Sequence, residues 1–233
     1  MMQVAVGFDF DHTLGFDNGL EVVAFGRLAE QFGVTLEVRE PAMHAAIEEM
    51  LVPFRAAQEP MSVMVSRFVA LLPPDAKQLD VAADDLAGRY RQICYDLVTE
   101  MVEPMPGASA CLAALVAHGI PVGILTNGWS ELQERKILHA LGVFPGPVLV
   151  SDSVGAYKPS AEAFRILETA LGVAPSDLWY VGDNPAADIA GARAYGLRAV
   201  WFNRGGHAYP AGLEPPTAQI EHLDALAAIV RGA

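Results

Sequence analysis

The chain has 233 residues, of which 52% are hydrophobic and 18% are charged, and its formal net charge is −13 at pH 7. This balance is sufficient for one large domain or for a core domain with an insertion. The negative charge argues against a protein that binds nucleic-acid backbones, because such proteins normally have a basic face. No signal segment precedes the first acids and no apolar run approaches the roughly 20 residues that span a bilayer, so we expect a cytoplasmic protein with reduced Cys94 and Cys111.

Short apolar runs alternate with amphipathic stretches through most of the chain. One such run covers residues 3–9, and the others cover residues 120–126, 147–152, 178–183 and 197–203. Continuous apolar strands separated by helices are typical of a parallel sheet covered on both faces. We therefore predict a doubly wound, mostly parallel, five-stranded α/β fold. Within it, Ser130 and Gln133 have the spacing of a capping box at the start of a helix over residues 130–141.

The segment between the first and second strands has a different pattern. Residues 16–103 contain no valine-rich strand and four helical patterns, at 20–32, 41–51, 62–72 and 81–101. We therefore predict an inserted helical domain over 16–103 and an α/β core formed by 1–15 and 104–233.

Polar residues follow the predicted strands at the positions where each strand ends. They are Asp9, Asp11 and Thr13 after the first strand, Thr126 and Asn127 after the second, Lys158 after the third, and Asp183 and Asp188 after the fourth. In open α/β sheets ligands bind at the carboxyl ends of the strands, so we expect these side chains to converge. An EF-hand loop starting at Asp9 is excluded, because Leu14 and Leu20 stand where it needs Gly and Glu. A GxxxxGK phosphate loop is absent.

Four segments together carry a family resemblance. The stretches "FDFDHTL", "ILTNG", "YKPSAEAF" and "VGDNPAADIAGARAYG" resemble, in order, the four motifs of the haloacid dehalogenase (HAD) superfamily. The inserted helical segment resembles the helical cap that this family carries between its first and second motifs. The resemblance covers essentially the whole chain.

The resemblance implies a role for each acid of the first motif and for the phosphate-binding groups. Asp9 matches the nucleophile, whose carboxylate attacks phosphorus and forms an aspartyl phosphate. Asp11 matches the general acid/base, which protonates the leaving alkoxide and then accepts a proton from water. Thr126, Asn127 and Lys158 match the groups that bind and neutralise the phosphoryl oxygens.

The resemblance also implies a metal site. Asp183 matches a magnesium ligand, together with the Asp9 carboxylate and the main-chain carbonyl of Asp11, and Asp188 matches a supporting acid. An oxygen-rich site of this kind suits Mg²⁺. The metal and Lys158 would supply the positive charge that an anionic substrate needs in an acidic protein.

The sequence thus predicts an Mg²⁺-dependent phosphatase that acts on a small phosphorylated metabolite, with no nucleic acid or membrane as partner. A phosphomutase of the same fold shares both aspartates and a similar cap, and a silent HAD-like binding or regulatory protein is a further alternative. The dehalogenase branch lacks the second aspartate of the first motif, whereas Asp11 is present here. The sequence does not indicate the substrate, the oligomeric state or a role for His12.

Overall fold

The computed structural model of the chain describes residues 4–73, 76 and 82–232. Two predicted boundaries, the strand start at Gln3 and the helix start at Val81, lie outside the described residues. The described chain divides into two compact units. The first comprises the residues up to Phe16 together with those from Glu103 onward, and the second comprises Asp17–Val102.

The first unit is built on a parallel sheet whose strands are β1 (Ala5–Phe8), β4 (Val122–Thr126), β5 (Val148–Val150), β6 (Leu178–Gly182), β7 (Arg198–Phe202) and β8 (Ala218–Ile220). Their order is β5-β4-β1-β6-β7-β8, and every pairing is parallel. This confirms the predicted doubly wound α/β fold, but the sheet has six strands among the described residues, whereas five were predicted. The missed strand, β8, has three residues and only one buried side chain, which gives it no apolar run to detect.

Helices cover this sheet because their apolar faces are complementary to its buried side chains. They are α5 (Ala108–Ala117), α6 (Ser130–Leu141), α7 (Ser151–Val154), α8 (Ala161–Leu171), α9 (Gly191–Tyr195) and α10 (Leu226–Arg231), with a π-helical turn at Pro185–Ala190 that leads into α9. Phe164 of α8 packs edge-on against Tyr180 of β6, with ring centroids 5.2 Å apart, in a cluster of fully buried residues.

The start of α6 differs from the predicted capping box. The Ser130 amide and hydroxyl both donate to Oδ2 of Asp152, and the side chain of the N-cap residue, Trp129, makes no capping hydrogen bond. Gln133 does not reach back to the helix start, because its side chain is buried and donates to Asp11 and Thr126 instead. The helix bounds, residues 130–141, are as predicted.

A two-stranded antiparallel pair marks the points where the chain leaves and re-enters the first unit. It consists of β2 (Gly15–Phe16) and β3 (Glu103–Pro104). The predicted core and insertion, 1–15 with 104–233 and 16–103, differ by one residue from the two compact units at each boundary. The assignment of the inserted unit as a cap stays a prediction.

In the described residues of the second unit, the regular secondary structure is entirely helical. Its helices are α1 (Leu20–Gln31), α2 (Pro41–Arg55), α3 (Met61–Ala70) and α4 (Ala83–Met101). Its core includes three aromatic rings. The centroid of the Phe25 ring lies 4.4 Å from that of Phe68 and 4.5 Å from that of Tyr90. Among the described residues, no helix of either unit combines the length and the apolar character that a membrane crossing requires.

Candidate active site

The sheet register brings the ends of three strands to one edge. Phe8 of β1 pairs with Ile124 of β4 and with Val181 of β6. The residues that follow at the carboxyl ends of these strands are Asp9, Thr126 and Asp183, which form the base of the candidate site.

Lys158 is the central cation of the site. Its Nζ donates to Oδ1 of Asp9 at 2.6 Å and to Oδ1 of Asp188 at 2.7 Å, and all three side chains are buried. Burial by itself lowers the pKa of an ammonium group, but the two carboxylates raise the pKa of Lys158 well above its usual value. Lys158 is therefore held charged beside the predicted nucleophile.

Asn127 fixes the segment that carries this lysine. Its side-chain amide donates to the carbonyl of Lys158 at 3.0 Å, and its Oδ1 accepts from the Lys158 amide at 2.9 Å. Both polar atoms of the Asn127 side chain are thus engaged with main chain. The predicted phosphate contact of Asn127, through its main-chain or side-chain amide, stays a prediction.

A tight turn after β1 determines where Asp11 lies. The amides of Thr13, Leu14 and Gly15 all donate to the carbonyl of Phe10, and His12 adopts a left-handed φ of 60°. The turn takes the chain off the strand axis directly after Asp9, so that Asp11 does not follow strand alternation. His12 is an exposed turn residue of this segment.

The carboxylate of Asp11 contacts two residues of α6. Gln133 Nε2 donates to Asp11 Oδ2 at 2.9 Å and also to the Thr126 hydroxyl at 2.8 Å. The ammonium of Lys136 lies 2.5 Å from Asp11 Oδ1 in an ion pair. Both helix side chains are buried, whereas Asp11 is partly exposed.

Three acids form a cluster that could hold a cation. One carboxylate oxygen from each of Asp9, Asp183 and Asp188 lies within 4.8 Å of the others. Burial raises the pKa of Asp9 although Lys158 opposes the shift, and burial together with Asp9 and Asp188 raises the pKa of Asp183 to about 8. One lysine therefore does not fully offset the three carboxylates, and the cluster has the charge and the oxygen ligands that a divalent ion requires.

Both carboxylate oxygens of Asp188 are engaged within the protein. Oδ1 accepts from Lys158, and Oδ2 accepts from the Asn184 amide at 3.0 Å. At Asp183 the main-chain carbonyl accepts a hydrogen bond from the indole of Trp201 at 2.8 Å.

A cavity of about 200 Å³ adjoins Asp183 and is bordered by the segment after β7. Buried Asn203 closes that segment by donating to the carbonyl of His207 at 2.8 Å and accepting from its amide at 3.0 Å. The guanidinium of Arg204 lies over the ring of Phe16, 4.5 Å from its centroid. Asp183, the candidate metal ligand, therefore faces an open cavity that Arg204, Phe16 and Trp201 also line.

The structure brings all the sequence-predicted site residues to the same edge of the sheet. These residues are Asp9, Asp11, Thr126, Asn127, Lys158, Asp183 and Asp188. Their chemical roles stay predictions.

Sequence reasoning missed Gln133 and Lys136. Gln133 was explained as part of a capping box, and Lys136 was not singled out. A signal was present, since the buried face of α6 comprises Leu132, Gln133, Lys136 and Ile137. An amide and a lysine on the apolar face of an amphipathic helix indicate buried polar partners, because burying such groups without partners is costly.

The fold and the site define the class of protein. The family model of haloacid dehalogenase-like hydrolases matches residues 4–196. The chain therefore belongs to the haloacid dehalogenase-like hydrolases, as its four motifs predicted.

Individual relatives include phosphatases and dehalogenases. The chain is 45% identical over 101 residues to phosphoserine phosphatase of Thermus thermophilus, covering 43% of this chain and 41% of that protein. It is 32% identical to haloacetate dehalogenase H-2 of Moraxella sp., covering 55% of this chain and 58% of that protein. The match thus spans less than two thirds of either relative. Glyceraldehyde 3-phosphate phosphatase of Pyrococcus furiosus is 30% identical over 80% of this chain and 82% of its own length.

The fold has close counterparts among solved structures. The HAD-hydrolase YfnB of Bacillus subtilis, solved bound to magnesium, superposes with a TM-score of 0.75 at 24% identity and covers 99% of both chains. Together with the phosphatase relatives, the family match supports the prediction of a hydrolase that acts on phosphoric monoesters.

Proposed function

We propose that this protein is an Mg²⁺-dependent phosphatase that hydrolyses a small phosphomonoester through an aspartyl phosphate on Asp9. The observation that carries the proposal is the pairing of buried Asp9 with Lys158, beside Asp183 and Asp188. Asp11, two residues after Asp9, has different partners on α6. Two acids with different surroundings are suited to two different tasks.

In the first step, a carboxylate oxygen of Asp9 attacks phosphorus, and the bond between phosphorus and the leaving oxygen breaks. Asp11, in its protonated form, gives its proton to the leaving alkoxide. Lys158 lies against the Asp9 carboxylate, where its charge orients the nucleophile and offsets the charge of the incoming phosphoryl group.

In the second step, water attacks the phosphorus of the aspartyl phosphate and gives a proton to the Asp11 carboxylate. The bond between phosphorus and the Asp9 oxygen breaks, which releases phosphate and restores the Asp9 carboxylate. Asp11 is then protonated again and ready for the next leaving group.

The residues present fit a magnesium ion, because a cluster of three buried or half-buried carboxylates with one lysine keeps excess negative charge. Asp9, Asp183 and the main-chain carbonyl of Asp11 would hold the ion, and Asp188 would support them. When bound, Mg²⁺ would neutralise charge on the phosphoryl oxygens. The inserted helical unit would contribute to substrate selection as a cap domain.

The test is phosphate release from 4-nitrophenyl phosphate with Mg²⁺ and with EDTA. We expect Mg²⁺-dependent activity that falls roughly 10³-fold or more in Asp9→Asn, because the nucleophile is lost. Asp224→Asn, an exposed acid of the same unit, is the matched control and should retain activity. Full activity in Asp9→Asn, or none in the wild type, would contradict the proposal.

The same preparation separates the alternatives. Because dehalogenases occur among the relatives, halide release from chloroacetate is measured in parallel, and we expect none. A phosphomutase would move the phosphoryl group to another hydroxyl without net phosphate release. A panel of sugar phosphates, phosphoserine and glyceraldehyde 3-phosphate then addresses the substrate.

A further inference from the structure

Gln133 and Lys136, which contact the Asp11 carboxylate, lie on helix α6 and outside the four motif segments. We propose that Lys136 and Gln133 are positioning residues that together hold the Asp11 carboxylate in the geometry for proton transfer to the leaving group. This inference rests on the proposed function, since it concerns how Asp11 performs its part of the reaction.

The first support is the depth at which Lys136 is placed. The residue is 1% exposed, and its Nζ lies 2.5 Å from Asp11 Oδ1 and 5.9 Å from the centroid of the Phe10 ring. A lysine ammonium is withdrawn from water only at a cost of several kcal/mol, which a close carboxylate must offset. An ordinary surface lysine would extend into solvent instead. The position of Lys136 is therefore tied to that of Asp11.

The second support is that the two helix residues contact different oxygens of the same carboxylate. Gln133 donates to Oδ2 and Lys136 pairs with Oδ1. Two contacts on opposite oxygens fix the plane of a carboxyl group as well as its position. The Asp11 side chain depends on such contacts for a fixed orientation more than Asp9 does, because Asp11 lies in a turn and is partly exposed.

The third support is the link to the phosphate-binding hydroxyl. The same Gln133 amide that contacts Asp11 also donates to Thr126 Oγ1 at 2.8 Å. Gln133 thereby joins the acid to the residue expected to bind phosphoryl oxygens. Since Gln133 and Lys136 are three residues apart on one helix, they lie on the same face and act from one rigid element.

The experiment uses the dependence of the rate on the leaving group. A positioned general acid accelerates the release of an alkoxide, whereas 2,4-dinitrophenolate leaves without protonation. We compare kcat/KM, which covers the steps up to departure of the leaving group, for 2,4-dinitrophenyl phosphate and for an alkyl phosphate, in the presence of Mg²⁺. The variants are Lys136→Met, Lys136→Arg and Gln133→Leu.

We expect Lys136→Met and Gln133→Leu to lose at least about tenfold more activity on the alkyl phosphate than on the dinitrophenyl ester. This difference is a part of the roughly 10²–10⁴-fold acceleration that general acid catalysis contributes. Lys136→Arg should recover much of the difference, because it keeps the charge. Arg135→Met removes a positive charge from the exposed face of the same helix and should leave both rates unchanged.

Equal losses on both substrates would overturn the positioning role and leave the phosphatase function intact. A wild type inactive on both substrates would instead contradict the proposed function itself. Circular dichroism of each variant checks folding. If Lys136→Met does not fold, the ratio of the two rates in Lys136→Arg and Gln133→Leu still decides the question, because a purely structural role leaves that ratio at the wild-type value.

Discussion

The ammonium of Lys158 donates to the carboxylate of Asp9 at 2.6 Å in a position where both side chains are almost fully withdrawn from water. The same ammonium also pairs with buried Asp188. One lysine thus pairs with two buried acids, one directly after β1 and one in the π-helical turn that follows β6.

Lys158→Met should therefore reduce stability and activity together. Removing one partner of a buried ion pair typically costs about 3–5 kcal/mol, because the remaining charges stay buried. We expect a loss of this size in the free energy of unfolding, measured by urea denaturation, and loss of phosphatase activity.

The matched control for this prediction is Arg165→Met. Arg165 also pairs with a carboxylate, Glu162, but both side chains are exposed. We expect little change in the free energy of unfolding for this variant. If both substitutions lower the free energy of unfolding by the same amount, burial of the Lys158 pair does not increase its contribution to stability.

The acid cluster should make the metal-free protein less stable as the pH rises. The pKa of Asp183 is raised from its usual 3.8 to about 8. Between these values the folded protein keeps a proton that the unfolded chain releases, so increasing pH favours unfolding. We expect the Tm in EDTA to fall from about pH 4 towards pH 8, and the slope to be smaller in Asp183→Asn.

Added Mg²⁺ should reverse this trend, because a cation favours the ionised carboxylates. At an Mg²⁺ concentration 100 times its Kd, binding adds about 2.7 kcal/mol to the free energy of unfolding. Each kcal/mol raises the Tm of a domain of 150–250 residues by about 2–4 °C. The shift should increase towards pH 8, disappear in Asp183→Asn and persist in Asp224→Asn. A shift that is unchanged in Asp183→Asn would remove this residue from the metal site.

Gly182 should not tolerate a side chain. A Cβ at this position would lie 2.4 Å from both Cγ and Oδ2 of Asp188. Gly182→Ala should displace that carboxylate from Lys158, reduce activity and cost about 1–3 kcal/mol of stability, as overpacking does.

Gly88→Ala is the control for the glycine prediction, because a Cβ there meets no atom within 4 Å. Gly88 lies inside α4, where alanine is favoured over glycine by about 0.5–1 kcal/mol. We expect this variant to be slightly more stable and equally active. The two variants are compared by urea denaturation and by phosphate release.

Both cysteines should be unreactive in the folded protein. Cys94 and Cys111 are buried, and burial, with a smaller contribution from Asp224, raises the pKa of the Cys111 thiol to about 12. Since the thiolate is the reactive form, iodoacetamide at pH 8 should label neither residue until guanidinium chloride unfolds the chain. Ala113→Cys, at an exposed position of α5, should be labelled rapidly in the native state, and mass spectrometry distinguishes the sites.

Much of the fold was predictable because its signals are local. Continuous apolar strands and amphipathic helices appear directly in the pattern of hydrophobic residues, and α6 has the bounds that the pattern predicts. The three-residue strand β8 escaped detection because an edge strand needs few apolar residues. The second helical pattern of the insertion was predicted to end at residue 51, but α2 continues through Pro53 to Arg55.

By itself, the sequence determined the α/β class, the family and the acids and lysine that end each strand, because these depend on residue types at short spacing. The tertiary structure decided which side chains reach them. Gln133 and Asp11 are 122 positions apart, and only the packing of α6 beside the turn after β1 makes them partners. In the sequence, Gln133 fits either a capping box at the start of α6 or a buried polar contact. In the folded protein it contacts Asp11 and Thr126, so the tertiary structure selects the second of these.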